Sequence, residues 1–248
     1  MAGHSKWANI KFRKAAQDAK RGKLFTKLIR EITVSARNGG GEADSNPRLR
    51  AAIDKALGAN MTKDVIERAI TRGTGELDGV NYEEIRYEGY APGGIAVLVE
   101  CTTDNKNRTV GEVRHAFTKH GGNLGTDGSV AYLFRKVGII RFSPEHDEER
   151  IMEAAVDAGA EDVVTEEDGS IEVVSTPENY HSVYSALVDA GFEPEDADII
   201  QQATTEISLN VDDGEKVLKL LDVLEDLDDV QDVYSNADFP DALLSEAG

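Results

Sequence analysis

The sequence predicts an α+β protein, with a helical N-terminal domain followed by two ferredoxin-like α+β domains, one inserted in the other. Three observations carry this. Residues 1–72 show only helical periodicity, strands and helices alternate after Val80, and residues 137–201 run strand, helix, strand, strand, helix, strand. The expected boundaries are 1–79 for the helical domain, 80–136 with 204–240 for a discontinuous domain, and 137–203 for the insert.

Phe25, Leu28, Ile29 and Ile32 lie at helical spacing, so a helix spans Lys23 to Arg37 and stops at the run Asn38 to Gly41. Asn46 and Pro47 open a second helix that buries Leu49, Ala52, Ile53 and Ala56 and ends at Gly58. Thr62 caps a third, with Val65, Ile66, Ala69 and Ile70 inward, and Gly73 to Gly79 reads as a linker. Strands at Tyr82 to Tyr90 and Ile95 to Cys101 flank the turn Ala91-Pro92-Gly93-Gly94. A helix from Asn107 to His120 follows, with Thr109 and Glu112 in capping-box spacing, and then a strand from Ser129 to Arg135.

In the insert, strands are expected near 137–142, 162–165, 171–175 and 197–201. Val156-Asp157-Ala158-Gly159 and Val188-Asp189-Ala190-Gly191 end its two helices, the second capped by Thr176 and Pro177, and Asp168-Gly169 makes a hairpin turn. A last strand, helix and strand lie near 206–211, 217–224 and 230–234. Joined to the strand–helix–strand of residues 95–135, they would complete the second ferredoxin-like unit.

Charge is divided along the chain. Residues 1–72 hold 16 Lys or Arg against 7 Asp or Glu, whereas the whole chain has a formal net charge of −20. Residues 73–140 are nearly balanced, and residues 141–248 hold 31 acids against 4 bases. Screening confines exposed charge effects to about 10 Å, so a local basic module matters more than the total. Lys20, Lys23, Lys27 and Arg30 recur every three or four residues and would line one side of a helix, with Arg21 beside them. Lys6, Lys11, Arg13 and Lys14 extend the row, and Trp7 and Phe12 could supply stacking surfaces for bases or simply pack. Only Asp18 interrupts these bases before Glu31, so the ion pairing of an inert surface helix is missing. The expected partner is nucleic acid, and the charge pattern leaves DNA and RNA equally open. The acidic surface serves solubility, repels nucleic acid elsewhere or takes a protein partner.

Other motifs are weaker. The stretch Gly121 to Ser129 is glycine-rich but lacks the Gly-Lys-Ser/Thr ending and the strand-to-helix order of a phosphate loop, so it reads as a turn-rich connection exposing Asn123, Thr126 and Asp127. In Asp104 to Arg108, Lys106 and Arg108 near a helix start could hold an anion, and a plain capping loop fits equally. His115 and His120, five apart, do not share a helical face, and no catalytic grouping is evident, so no metal, cofactor or enzymatic activity is expected. The single cysteine, Cys101, reads as a buried hydrophobe. No apolar run reaches the roughly 18 residues of a spanning helix, which predicts a cytoplasmic protein without membrane contact.

Three blocks carry a resemblance. AGHSKWANIKFRKAAQDAKRGKLFTKLIREI, GYAPGGIAVLVE with TDNKNRTVGEVRHAF, and GGNLGTDGSVAYLF are similar to the YebC/PmpR family of proposed transcriptional regulators, over essentially the whole chain. Phe12 stands where many members have His, and Ala91 where a Gly is common. The resemblance implies three domains with one nested in another, and DNA binding upstream of regulated genes or, as in mitochondrial relatives, translation activation at the ribosome, so that DNA is the first expected partner and ribosomal RNA or tRNA the alternative. It implies no catalytic residues.

Overall fold

The structure, a computed structural model, describes residues 21–75, 81–166, 168–240 and 242–243, apart from the side chain of Arg21. The described residues form two compact units, one of Tyr132–Glu206 and one of the segments before and after it.

The larger unit begins with α1 (Arg21–Gly39), α2 (Pro47–Gly58) and α3 (Lys63–Gly73). Leu28, Ile32 and Ala36 of α1 pack with Leu49, Ala52 and Ala56 of α2 and with Ile66 and Ala69 of α3. Asn46 caps α2, accepting from the Leu49 amide at 3.1 Å, and its amide group donates to the Ser35 and Gly40 carbonyls at 2.8 Å. One buried side chain thus closes the end of α1 and the start of α2. Thr62 occupies the cap position of α3 without a side-chain hydrogen bond.

The α+β part of this unit contains β1 (Glu83–Tyr90), β2 (Ala96–Thr103), α4 (Lys106–Lys119) and β3 (Asn123–Leu124). Beyond residue 206 it resumes with β8 (Ile207–Ser208), α7 (Val211–Glu225), β9 (Val230–Ser235) and β10 (Ala237–Asp238). The sheet order is β3-β1-β2-β9, all antiparallel. Val113 and Phe117 of α4, with Val217, Leu220, Leu221 and Leu224 of α7, cover Val97, Val99, Cys101 and Val233 of the sheet.

Three expectations for this part are corrected. The strand near 206–211 does not enter the sheet. Only Ile207–Ser208 pairs, in parallel, with β10, because β1 already lies beside β2 along all of Glu83↔Thr103 to Tyr90↔Ala96. A hairpin closed by a few residues costs less chain entropy than a partner more than a hundred residues away. Residues 129–133 are not strand, since the Gly128, Val130 and Ala131 amides donate to the Glu88 carboxylate and a short 3-10 turn follows at Ala131–Leu133. Asn105, not Thr109, caps α4, accepting from the Arg108 amide at 3.1 Å.

The smaller unit is β4 (Phe134–Phe142), α5 (Glu148–Asp157), β5 (Asp162–Thr165), β6 (Ile171–Ser175), α6 (Tyr180–Asp189) and β7 (Asp196–Ala203), with sheet order β5-β6-β4-β7. This is the split βαβ pattern expected from the sequence, with β4 longer at its start than the strand at 137–142. Ile151, Ala155, Val183 and Leu187 from the helices bury Ile140, Phe142, Ile171 and Val173.

Candidate nucleic-acid interface

Of the basic residues singled out, Lys6, Trp7, Lys11, Arg13, Lys14 and Lys20 lie outside the described residues, as does the side chain of Arg21. Lys23, Lys27 and Arg30 do share one side of α1, but that side is not a free row of charges. It seats on the corner where α7 ends and β9 begins. Lys23 Nζ donates to the Asp226 carbonyl at 2.9 Å and stands 3.4 Å from the Asp226 carboxylate. Lys27 Nζ donates to the carbonyls of Glu225 at 3.2 Å and Gln231 at 3.3 Å. Arg30 Nη1 donates to the Thr102 carbonyl at 3.3 Å, to the Asp228 carbonyl and to Asp229 Oδ1 at 3.1 Å. One turn on, Val34 is only 3% exposed.

The need for these cations is written into α7. The last turn of α7 has no basic residue, and Asp222, Glu225 and Asp226 crowd the end where unpaired carbonyls already concentrate negative charge. Two lysines from α1 supply what the helix lacks. The acidic surface expected of residues 141–248 is therefore, at Asp226, partly a surface for this chain's own bases.

Asp229 is the deepest group at the corner and was legible only as one more acid in an acidic run. It is fully buried. Its carboxylate accepts from Arg30 Nη1, from Arg108 Nη2 at 2.7 Å and Nε at 3.1 Å, from Thr103 Oγ1 at 3.0 Å and from Thr109 Oγ1 at 2.8 Å. Burial alone would raise its pKa, but hydrogen bonds from Arg108, Thr109 and Thr103 and the charge of Arg108 outweigh it and hold the carboxyl below its ordinary value. The hydrogen bonds that Arg108 donates to Asp229 and Asp104, with the charges of both carboxylates, raise its guanidinium. Burial, helped by the Asp229 charge, pushes the Cys101 thiol up to about 12, which leaves it protonated and inert.

This cluster disposes of the anion reading at the start of α4. Arg108 is held by Asp229 and Asp104, and Lys106 pairs with Glu83 at 2.5 Å, so the bases there already have carboxylate partners.

The glycine-rich stretch after α4 is built on Glu88, another group that sequence reasoning passed over. Glu88 is 2% exposed, and its oxygens accept from the amides of Gly128 at 2.9 Å and of Val130 and Ala131 at 2.8 Å. Burial works against its charge, yet these amides and Arg86 bring its pKa below the usual value. Gly128 takes φ +82°, and a Cβ on Gly122 would lie 2.5 Å from the Tyr90 carbonyl. The loop is a folded cap over a buried carboxylate that leaves Asn123, Thr126 and Asp127 exposed. Among the described residues no group of three or more His, Cys, Asp or Glu is placed to hold a metal, and no helix is long and apolar enough to cross a membrane.

Comparison with known proteins agrees with this architecture. Family models described as the TACO1/YebC N-terminal domain and the TACO1/YebC second and third domain match residues 5–76 and 82–237. The chain is 64% identical over all 248 residues to "Probable transcriptional regulatory protein MCA1220" of Methylococcus capsulatus, with both chains fully covered. It is 65% identical over 244 residues to the similarly named Tgr7_2237 of Thioalkalivibrio sulfidiphilus, covering 98% of each. The crystal structure of a conserved hypothetical protein, Aq1575, from Aquifex aeolicus superposes with a TM-score of 0.85 at 50% identity, covering 95% of this chain and 98% of that one. The chain belongs to the TACO1/YebC family.

Proposed function

We propose that this protein is a cytoplasmic, DNA-binding transcriptional regulator, not an enzyme, and that it contacts phosphates through the basic N-terminal segment bearing Lys6, Lys11, Arg13, Lys14, Lys20 and Arg21, with Trp7 stacking beside them. The observation that carries this reading is the segregation of charge, 16 bases against 7 acids in residues 1–72 of a chain whose net charge is −20. The family relationship supports it, since the full-length relatives are named probable transcriptional regulatory proteins. Lys27 and Arg30 then serve mainly to seat α1, while Lys23, whose side chain is 47% exposed, contributes to both. Phosphate contacts of this kind give affinity without choosing a sequence, so a regulator also needs readout of base edges or DNA shape.

The test compares a promoter fragment recovered by crosslinking in cells with random duplex at physiological salt. The expected preference for the promoter is about 10³ or more. Co-sedimentation with ribosomes and no such preference would instead identify an RNA partner. Lys11→Glu combined with Lys14→Glu should weaken binding and flatten its salt dependence by about 0.9 log unit for each duplex phosphate that the variant no longer neutralises. An unchanged slope would remove those lysines from the interface.

A further inference from the structure

We propose that the seat of α1 on the α7–β9 corner is an electrostatic latch, and that a polyanion opens it by taking Lys23 and Lys27 from the α7 carbonyls. The inference rests on the nucleic-acid reading above and adds its regulation. The helical core and the core of the α+β part are separate apolar clusters. The contacts across their junction include the three cations of α1, the Arg37–Asn81 and Asn38–Glu84 hydrogen bonds, and Arg48, which bridges Glu31 and Glu84 at 2.7 and 2.6 Å. A joint of this composition weakens with ionic strength and with competing anions.

The charges at the corner oppose one another: Lys23, Lys27 and Arg30 face Asp226, Asp228 and Asp229. A phosphate therefore meets little net positive charge while α1 is seated. The site is nonetheless reachable, because a small pocket of about 140 Å³ opens there, lined by Lys23, Thr26, Lys27, Arg30 and Asp228. Its two lysines bond chiefly to carbonyls, which a phosphate oxygen replaces with a full charge and a shorter, stronger hydrogen bond. Arg30, anchored to buried Asp229, is the last contact to yield. If the unseated form is about 1% of the population, seating lowers apparent affinity about 100-fold, and loosening the seat restores up to that factor.

The experiment measures a distance across the joint in the full chain. Leu57→Cys on α2, 42% exposed, and Thr118→Cys on α4, also exposed, take spin labels, while buried Cys101 does not react. Raising NaCl from 0.05 to 1 M, or adding Asp226→Lys, should shift the distance distribution to longer values, and so should a saturating 25-base-pair duplex or a 25-nucleotide RNA. An unchanged distribution under salt and Asp226→Lys would overturn the latch, as would a bound nucleic acid that leaves the distance fixed. A joint that opens with salt while neither nucleic acid binds would overturn the nucleic-acid reading, and the polyanion as key with it.

Discussion

Asp229 shows how one side chain can hold a junction together. It receives two arginines and two threonine hydroxyls in a fully buried position, so removing its charge leaves Arg30, whose side chain is 12% exposed, without a counter-ion. Asp229→Asn should lower stability by about 2 to 4 kcal/mol, nearer the smaller figure because Arg108 can regain water. Chemical denaturation measures this directly. The native carboxyl has a depressed pKa, so its stabilisation is complete at neutral pH and disappears as pH falls below the ordinary carboxylate value of about 4. The gap between wild type and Asp229→Asn should therefore close on acidification, and a constant gap would show that the charge is not what matters. Cys101 belongs to the same scale: with a pKa near 12 it should resist alkylation at pH 8 in the native protein and react once guanidinium unfolds the chain.

Individual elements carry the clearest account of what the sequence could and could not announce. The helix boundaries of the N-terminal module followed from Asn46, Pro47 and the glycines because caps act within a few residues. The strands of the smaller unit followed from alternating apolar residues and an Asp-Gly turn. The partners of Lys23 and Lys27 did not follow, since they lie 203 and 198 residues away and α1 alone shows only a basic stripe. Thr109 misled because its spacing to Glu112 mimics a cap, whereas Asn105, a better cap, stands four residues earlier. Glu88 shares the exposed-looking alternation of Glu84 and Arg86, and nothing in β1 shows that a later loop will close over it.

Two changes test that loop. Glu88→Gln removes the charge that holds three amides, and should speed hydrogen exchange at Gly128, Val130 and Ala131 while leaving β2 protected. Gly122→Ala should destabilise by about 1 to 3 kcal/mol, because its methyl must push against the Tyr90 carbonyl.

For the whole molecule, two salt effects of opposite sign coexist. A net charge of −20, with 31 acids beyond residue 140, strains the folded chain by self-repulsion that salt screens. Melting temperature should therefore rise by a few degrees between 0.02 and 0.3 M NaCl in calorimetry, even as the same salt loosens the seat of α1. A melting temperature that falls throughout would mean that specific ion pairs outweigh the general repulsion.

The seat of α1 also sets a timetable. Lys27 finds Gln231 only across 204 residues, and β2 finds β9 across more than a hundred. At about 5 to 20 residues per second, synthesis delivers the C-terminal partners roughly 10 to 40 s after α1 has been made. Until then the basic helix has its apolar core with α2 and α3 but no acidic counterpart. Each newly made chain thus begins life with its cationic side uncovered, and maturation consists in hiding it.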